Sequence, residues 1–211
     1  FMATSCCPSW RMMARRLFPD ESGNISMTYT PMVYTARLAK REHPGCRVVF
    51  IGPCAAKKLE AMDQDIRSDV DFVLTYEELM GIFEAKEIDF AALEAGEDLT
   101  DGTGSGRGFA VAGGVATAVE AIIKAKHPGQ EVKTQRADGL RECRKLLMLA
   151  KAGRLDGYLL EGMACPGGCV AGAGTVIAAP NAAKQLMKHM QQAENARSDE
   201  SPYRDLADRL N

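Results

Sequence analysis

Apolar positions along this chain follow two periods, and the switches between them outline alternating strands and helices. Short β-branched runs at residues 47–51 (RVVFI) and 71–74 read as strands, the first typical of a buried parallel strand. Residues 1–4 read as the end of another strand, 109–112 and 157–160 as two more, and 131–135 as a further candidate. Pro8 opens a helix running to Leu17. Pro31 opens a second, with Val33, Ala36, Leu38 and Ala39 on its apolar face and Pro44-Gly45 ending it. Thr75-Tyr76-Glu77-Glu78 has the spacing of a capping box and predicts a helix through Leu79, Ile82 and Phe83. Gly113-Gly114 leads into an apolar helix over 115–126. Further helices are expected over 140–152 and from Asn181, whereas 102–108 (GTGSGRG) and 165–174 read as glycine-rich loops. Strands alternating with helices predict an α/β fold of small, mainly parallel sheets flanked by helices. Such sheets bind ligands at the carboxyl ends of their strands.

Composition narrows the class. With 211 residues, the chain makes one large domain or two small lobes. It is 46% apolar and 26% charged, which is ordinary for a globular protein and excludes wholesale disorder. A net charge of −2 gives no electrostatic footprint for nucleic acid. No apolar run approaches the ~20 residues of a membrane helix. The chain begins Phe1-Met2-Ala3-Thr4 and is expected to be a piece of a longer protein. Seven cysteines cannot all pair within one chain, which points to a reducing cytoplasm and to metal or redox chemistry.

Five of those cysteines lie on three loops, each directly after an expected strand. They are Cys6 and Cys7 in TSCCPSW, Cys54 in GPCAAKKLE, and Cys165 and Cys169 in EGMACPGGCVAGAG. Neither the paired knuckles of a zinc site nor the repeated two-residue gaps of a ferredoxin are present. Local spacing therefore names no metal, and thiols scattered through a core remain an alternative. What the spacing does say is that thiols converge from three strand ends.

Taken together, the three loops resemble the signature motifs TSCCPxW, MPCxxKxxE and ExMACPGGCxxGGG of the FeFe (iron-only) hydrogenases, in the family's order. The segment from Ser68 to Glu94 and FAVAGGVATAVEA also resemble the family, so that the likeness covers about residues 1 to 178. The resemblance implies two α/β lobes with a metal cluster between them. The remainder of an incomplete first lobe would span 1–105, a second lobe 106–190, and a peripheral polar tail 191–211. It implies that Cys7, Cys54, Cys165 and Cys169 ligate a 4Fe-4S cubane. Cys169 would also bridge to a diiron subcluster carrying CO, cyanide and a dithiolate. Cys6 would pass protons, Lys57 would donate to a cyanide, and Met163 and Phe109 would pack beside the diiron unit. Ser26 would belong to a proton relay, and Glu60 closes the second motif. The implied reaction is reversible reduction of protons to hydrogen. Implied partners are ferredoxin or ferredoxin-like clusters, hydrogenase maturation proteins and the missing amino-terminal half of the domain, in the cytoplasm of an anaerobic bacterium.

The chain departs from the pattern in places. Gly52 stands where better-known members have Met, Met32 where Gln is common, and the last motif ends Gly172-Ala173-Gly174. Gly52 suggests an alternative function as a hydrogen sensor with slow turnover. Another alternative is a non-enzymatic relative such as a cytosolic iron–sulfur assembly factor; Cys6, Lys57 and MACPGGC argue against it. An inactive apo fragment is a further possibility. Cys46 and Cys143 are expected to be structural, and His43, His127 and His189 to face solvent. The 102–108 loop lacks a phosphate-loop order, and Trp10 should pack beneath the first Cys loop.

Overall fold

Helix starts in this chain follow the chemistry of their first residues. In the capping box, Thr75 Oγ1 accepts from Glu78 N and Glu78 Oε2 accepts from Thr75 N, at 3.2 and 2.8 Å. Three other helices carry Pro at their first turn, where its missing N–H costs nothing. The computed structural model describes residues 1–94, 96 and 100–205. In chain order the elements are β1 (Met2–Ala3), α1 (Pro8–Leu17), α2 (Pro31–Glu42), β2 (Val49–Ile51), α3 (Ala56–Ala61), β3 (Phe72–Leu74) and α4 (Tyr76–Ala85). They continue with α5 (Gly104–Arg107), α6 (Gly114–Lys126), β4 (Lys133–Asp138), α7 (Leu140–Lys151), β5 (Tyr158–Met163) and α8 (Ala179–Gln191).

The strands form two parallel sheets, one ordered β1-β5-β4 and one pairing β2 with β3. The expected α/β architecture is therefore present. The three-stranded sheet carries the larger core, with Ala3, Trp10, Ile25, Cys143, Leu147 and Leu160 fully buried. Met32, Val33, Ala36, Ile66 and Val70 form a second, smaller core against β2 and β3. Strand β1 pairs with β5, and residues 3–25 share a core with 143–160. The first 25 residues thus pack with the three-stranded sheet, whereas the resemblance implied a first lobe spanning 1–105.

Several expected elements differ. Residues 109–112 are not a strand: Gly108–Ala110 is a single 3-10 turn. The glycines on both sides let this segment turn against the 165–169 loop instead of pairing in a sheet. The glycine-rich 102–108 stretch contains helix α5, whose first turn is held by Thr103 Oγ1 accepting from Gly106 N. That turn docks on the segment after α8, with Gly104 N donating to Asn195 O and Ser105 N to Ala196 O. The 191–211 tail is thereby tied down over its first part, while 206–211 lie outside the described residues. Strand β2 is not buried on both faces, since Val49, Ile51 and Phe72 beside it are 44%, 43% and 61% exposed.

Candidate functional site

Three loops meet at one end of the two sheets. After β1 the chain turns through Cys6 and Cys7, and Cys7 becomes the cap residue of α1 with Pro8 behind it. Trp10, fully buried, lies under this turn and donates Nε1–H to Thr4 O at 2.9 Å. Gly162 makes room for it: a Cβ there would come within 2.2 Å of the indole. After β2 comes Cys54, one turn ahead of Lys57 on α3. After β5 come Cys165 and Cys169, separated by Gly167 and Gly168 with positive φ. The third loop is fitted onto the second. Gly174 N donates to Pro53 O at 3.0 Å, and a Cβ at Gly172 would meet Pro53 O at 2.4 Å. Ala173 between them faces outward, so the missing third glycine costs the loop nothing.

Together the loops enclose a cavity of about 700 Å³. Of the nine residues given a role at the cluster or in the proton route, eight line it: Cys6, Cys7, Cys54, Lys57, Phe109, Met163, Cys165 and Cys169. Ser26 does not. Its amide donates to Ala3 O and its Oγ accepts from Thr28 N at 3.2 Å. The place left by a small residue at Gly52 is taken by the Phe50 ring, 2.8 Å from where a Cβ would sit. Phe50 thus supplies an apolar wall that the sequence motif does not announce. His189 is exposed, as expected, but it also lines the cavity, and its carbonyl accepts from Arg107 Nη1 at 2.8 Å. No sequence motif surrounds it, and only the docking of α8 places it there.

The thiols are free and feel one another. Burial pushes Cys169 up to about 12, helped by Cys7, Cys54, Cys6 and Cys165. Burial also raises Cys165, with Cys54 and Cys7 adding to it. Cys6 is likewise pushed up to about 12, first by burial, then by Glu161 and Cys7, with Thr4 and Lys57 acting the other way. Crowded, desolvated thiols of this kind ionise only when a cation takes the place of the protons. Among the described residues no three His, Cys, Asp or Glu side chains converge closely enough for one metal ion. Thiols spread around a cavity instead suit a polynuclear cluster, for which soft sulfur ligands are matched to iron. Cys7 Sγ already accepts a bond from Ala164 N at 3.4 Å, the kind of contact that tunes a cluster sulfur.

Lys57 is the buried cation of the cavity. Its Nζ donates to Glu60 Oε2 at 2.6 Å, which leaves ammonium donors for an anionic ligand. Glu60 Oε1 is buried with no hydrogen-bond partner, and Arg11 Nη2 stands 3.8 Å from it. The residues present therefore fit a thiolate-held cluster with an anionic ligand beside Lys57.

The chain is 30% identical to the periplasmic Fe hydrogenase large subunit of Nitratidesulfovibrio vulgaris, over 82% of this chain and 51% of that one. It is 30% identical to iron hydrogenase 1 of Clostridium pasteurianum, over 82% of this chain but 37% of that one. The chain thus spans about half or less of these relatives. A cytosolic Fe-S cluster assembly factor of Kluyveromyces lactis is 31% identical over 41% of this chain. Among solved structures, an apo FeFe-hydrogenase from Chlamydomonas reinhardtii superposes with a TM-score of 0.72 at 26% identity, covering 98% of this chain and 71% of that one. Residues 1–173 match the family described as the iron only hydrogenase large subunit, C-terminal domain, and the chain belongs to that family.

Proposed function

We propose that this chain is the carboxy-terminal part of the catalytic domain of an FeFe hydrogenase. The observation that carries this reading is the gathering of Cys6 and Lys57 on the same cavity as the four motif thiols. A cubane alone would need neither. In this reading Cys7, Cys54, Cys165 and Cys169 would hold a 4Fe-4S cluster, with Cys169 the thiolate nearest a diiron subcluster bearing CO, cyanide and a dithiolate. When bound, that group supplies the two-electron interconversion of protons and hydrogen. Lys57, paired with Glu60, donates to an anionic ligand of the group, and a charge-assisted bond is strong in a dry cavity. Met163 and Phe109 exclude water from the diiron side. Cys6, whose thiol burial keeps protonated, would pass its proton to a basic atom of the bound group. Ser26, away from the cavity, would act only at the far end of a relay.

Electrons would come from ferredoxin or from ferredoxin-like clusters, and maturation proteins would insert the diiron unit. The remaining part of the domain is expected upstream. Among the described residues no helix is long and apolar enough to cross a membrane. One relative is named periplasmic; we propose the cytoplasm for this chain on its free thiols, and an anaerobe on its likeness to the hydrogenases. A second reading, a cluster-binding assembly factor, is favoured by the assembly-factor relatives.

Anaerobic reconstitution of the chain with iron and sulfide tests the cluster site. About four irons per chain are expected for one cubane, and loss of iron binding on replacing Cys54 or Cys165 by Ser. Addition of a diiron precursor then separates the two readings. Carbonyl and cyanide infrared bands support the hydrogenase. A cubane that never takes up the precursor, even with the upstream half supplied, supports the assembly factor.

A further inference from the structure

Glu161 opens the third motif, and beyond its through-space effect on Cys6 it has no part in the cluster or the proton route. It is a fully buried carboxylate in the middle of β5. Its Oε1 accepts from Gly113 N at 2.6 Å and its Oε2 from Ala116 N at 2.7 Å. These amides belong to the first turn of α6, a helix of 13 residues. Gly113 is the cap residue of that helix and has no side chain with which to satisfy them. It is also ill suited to gaining one, because its φ of +93° is a backbone conformation that L side chains rarely adopt. The helix is therefore capped from 48 residues away, by an anion placed where the helix dipole favours it.

The capped turn is continuous with the cavity wall. One residue before Gly113, Ala112 N donates to Gly167 O at 3.1 Å. Gly168 packs so tightly on 110–112 that a Cβ would lie 2.5 Å from Ala112 N and 2.6 Å from Ala110 O. On its other side the same loop is held by Asp138, whose carboxylate accepts from Gly167 N. Phe109, Ala110 and Val115 line the cavity from this segment, as Cys165 and Cys169 do from the loop packed on it. We infer that Glu161 is a positioning residue that fixes the α6 turn to β5 and so holds the 165–169 loop against the 109–112 wall. The inference rests on the reading of the cavity as a cluster site, and extends it to a residue that touches no ligand.

The test compares the wild-type chain with Glu161→Gln, which keeps the size but removes the charge and turns an N–H₂ toward one of the two amides. Amide exchange is read on the iron-free chain. Gly113 and Ala116 should exchange faster by about tenfold or more, the factor expected for losing a bond to a charged acceptor. Ala112 should follow by a smaller factor, while amides in α7 keep their rates. On the reconstituted chains, Gln should also change the shape of the reduced cluster's EPR signal and speed iron loss to a chelator severalfold. A lower melting temperature with unchanged Ala112 exchange and an unchanged EPR signal would overturn the inference, leaving Glu161 a helix cap and nothing more. If the Gln variant does not fold, Glu161→Asp, which keeps the charge but is one methylene short, is judged by the same two readouts. Should the wild-type chain take up no iron, the cluster reading fails. The Ala112 comparison on the iron-free chain still decides whether Glu161 positions the loop.

Discussion

The two sheets of this protein carry the same kind of loop on very different foundations. Strand β5 is the centre of its sheet, flanked by β1 and β4, and its residues 160–163 are all buried. Strands β2 and β3 are three residues each and, among the described residues, pair only with each other. One face of that pair rests on a small core, while Val49, Ile51 and Phe72 look outward. Parallel sheets are ordinarily covered on both faces, and two strands alone are marginal. Cys7, Cys165 and Cys169 are thus anchored in the well-packed half, and Cys54 in the thin one. The site is unevenly supported, with its weakest support under the second motif.

The largest effect should come from breaking the strong half. Trp10→Ala empties the space beneath the Cys6–Cys7 turn and removes the bond to Thr4 O. It should cost about 3–5 kcal/mol in denaturant unfolding, as truncation of a buried aromatic does. Truncating Val33 in the small core removes fewer atoms and should cost less. Equal costs for the two would mean that the halves are equally well packed.

A smaller effect is expected at the seam between the halves. Gly172→Ala drives a Cβ into the Pro53 carbonyl and should cost about 1–3 kcal/mol while lowering iron retention. Ala173→Gly next to it, at an outward position, should shift the unfolding midpoint by less than the Gly172 change. If both substitutions behave alike, the second and third loops are not fitted to each other through these glycines.

The smallest effect concerns acid. Asp71 accepts bonds from Lys40, Val48 N and Arg47, which hold its carboxyl well below the usual range. A carboxylate depressed on folding contributes stability above its unfolded value and loses it as pH falls through its folded one. Asp71 ties the chain just before β3 to the chain just before β2, so lowering the pH below about 4 should loosen the thin half first. Amide exchange at 49–51 should then rise before exchange at 158–163. Simultaneous loosening of both sheets would contradict it.

Much of this was legible in the sequence, for identifiable reasons. The β-branched runs, the Thr75 capping box and the prolines at helix starts act locally, and their elements formed where expected. The cysteine loops were legible because each follows a strand, and parallel sheets put binding loops there. Residues 109–112 were misread as a strand because an apolar run flanked by glycines looks alike whether it pairs in a sheet or presses against a loop. The α5 turn was hidden by its glycines, since its cap, Thr103, lies just outside the run. Glu161 and Phe50 could be seen in the sequence but not understood from it. The first bonds amides 45 and 48 residues away, and the second matters only because Gly52 leaves room.

The division of the four motif thiols between two cores makes any group bound by all of them a bracket. Three arms of that bracket grip one half of the molecule, and the fourth, Cys54, grips the other. Such a tie restricts the unfolded chain much as a disulfide would, while its formation also depends on supply of the bound group. Folding of the thin half and delivery of iron would then be one linked equilibrium, in which starvation for metal shows itself first as a looser protein.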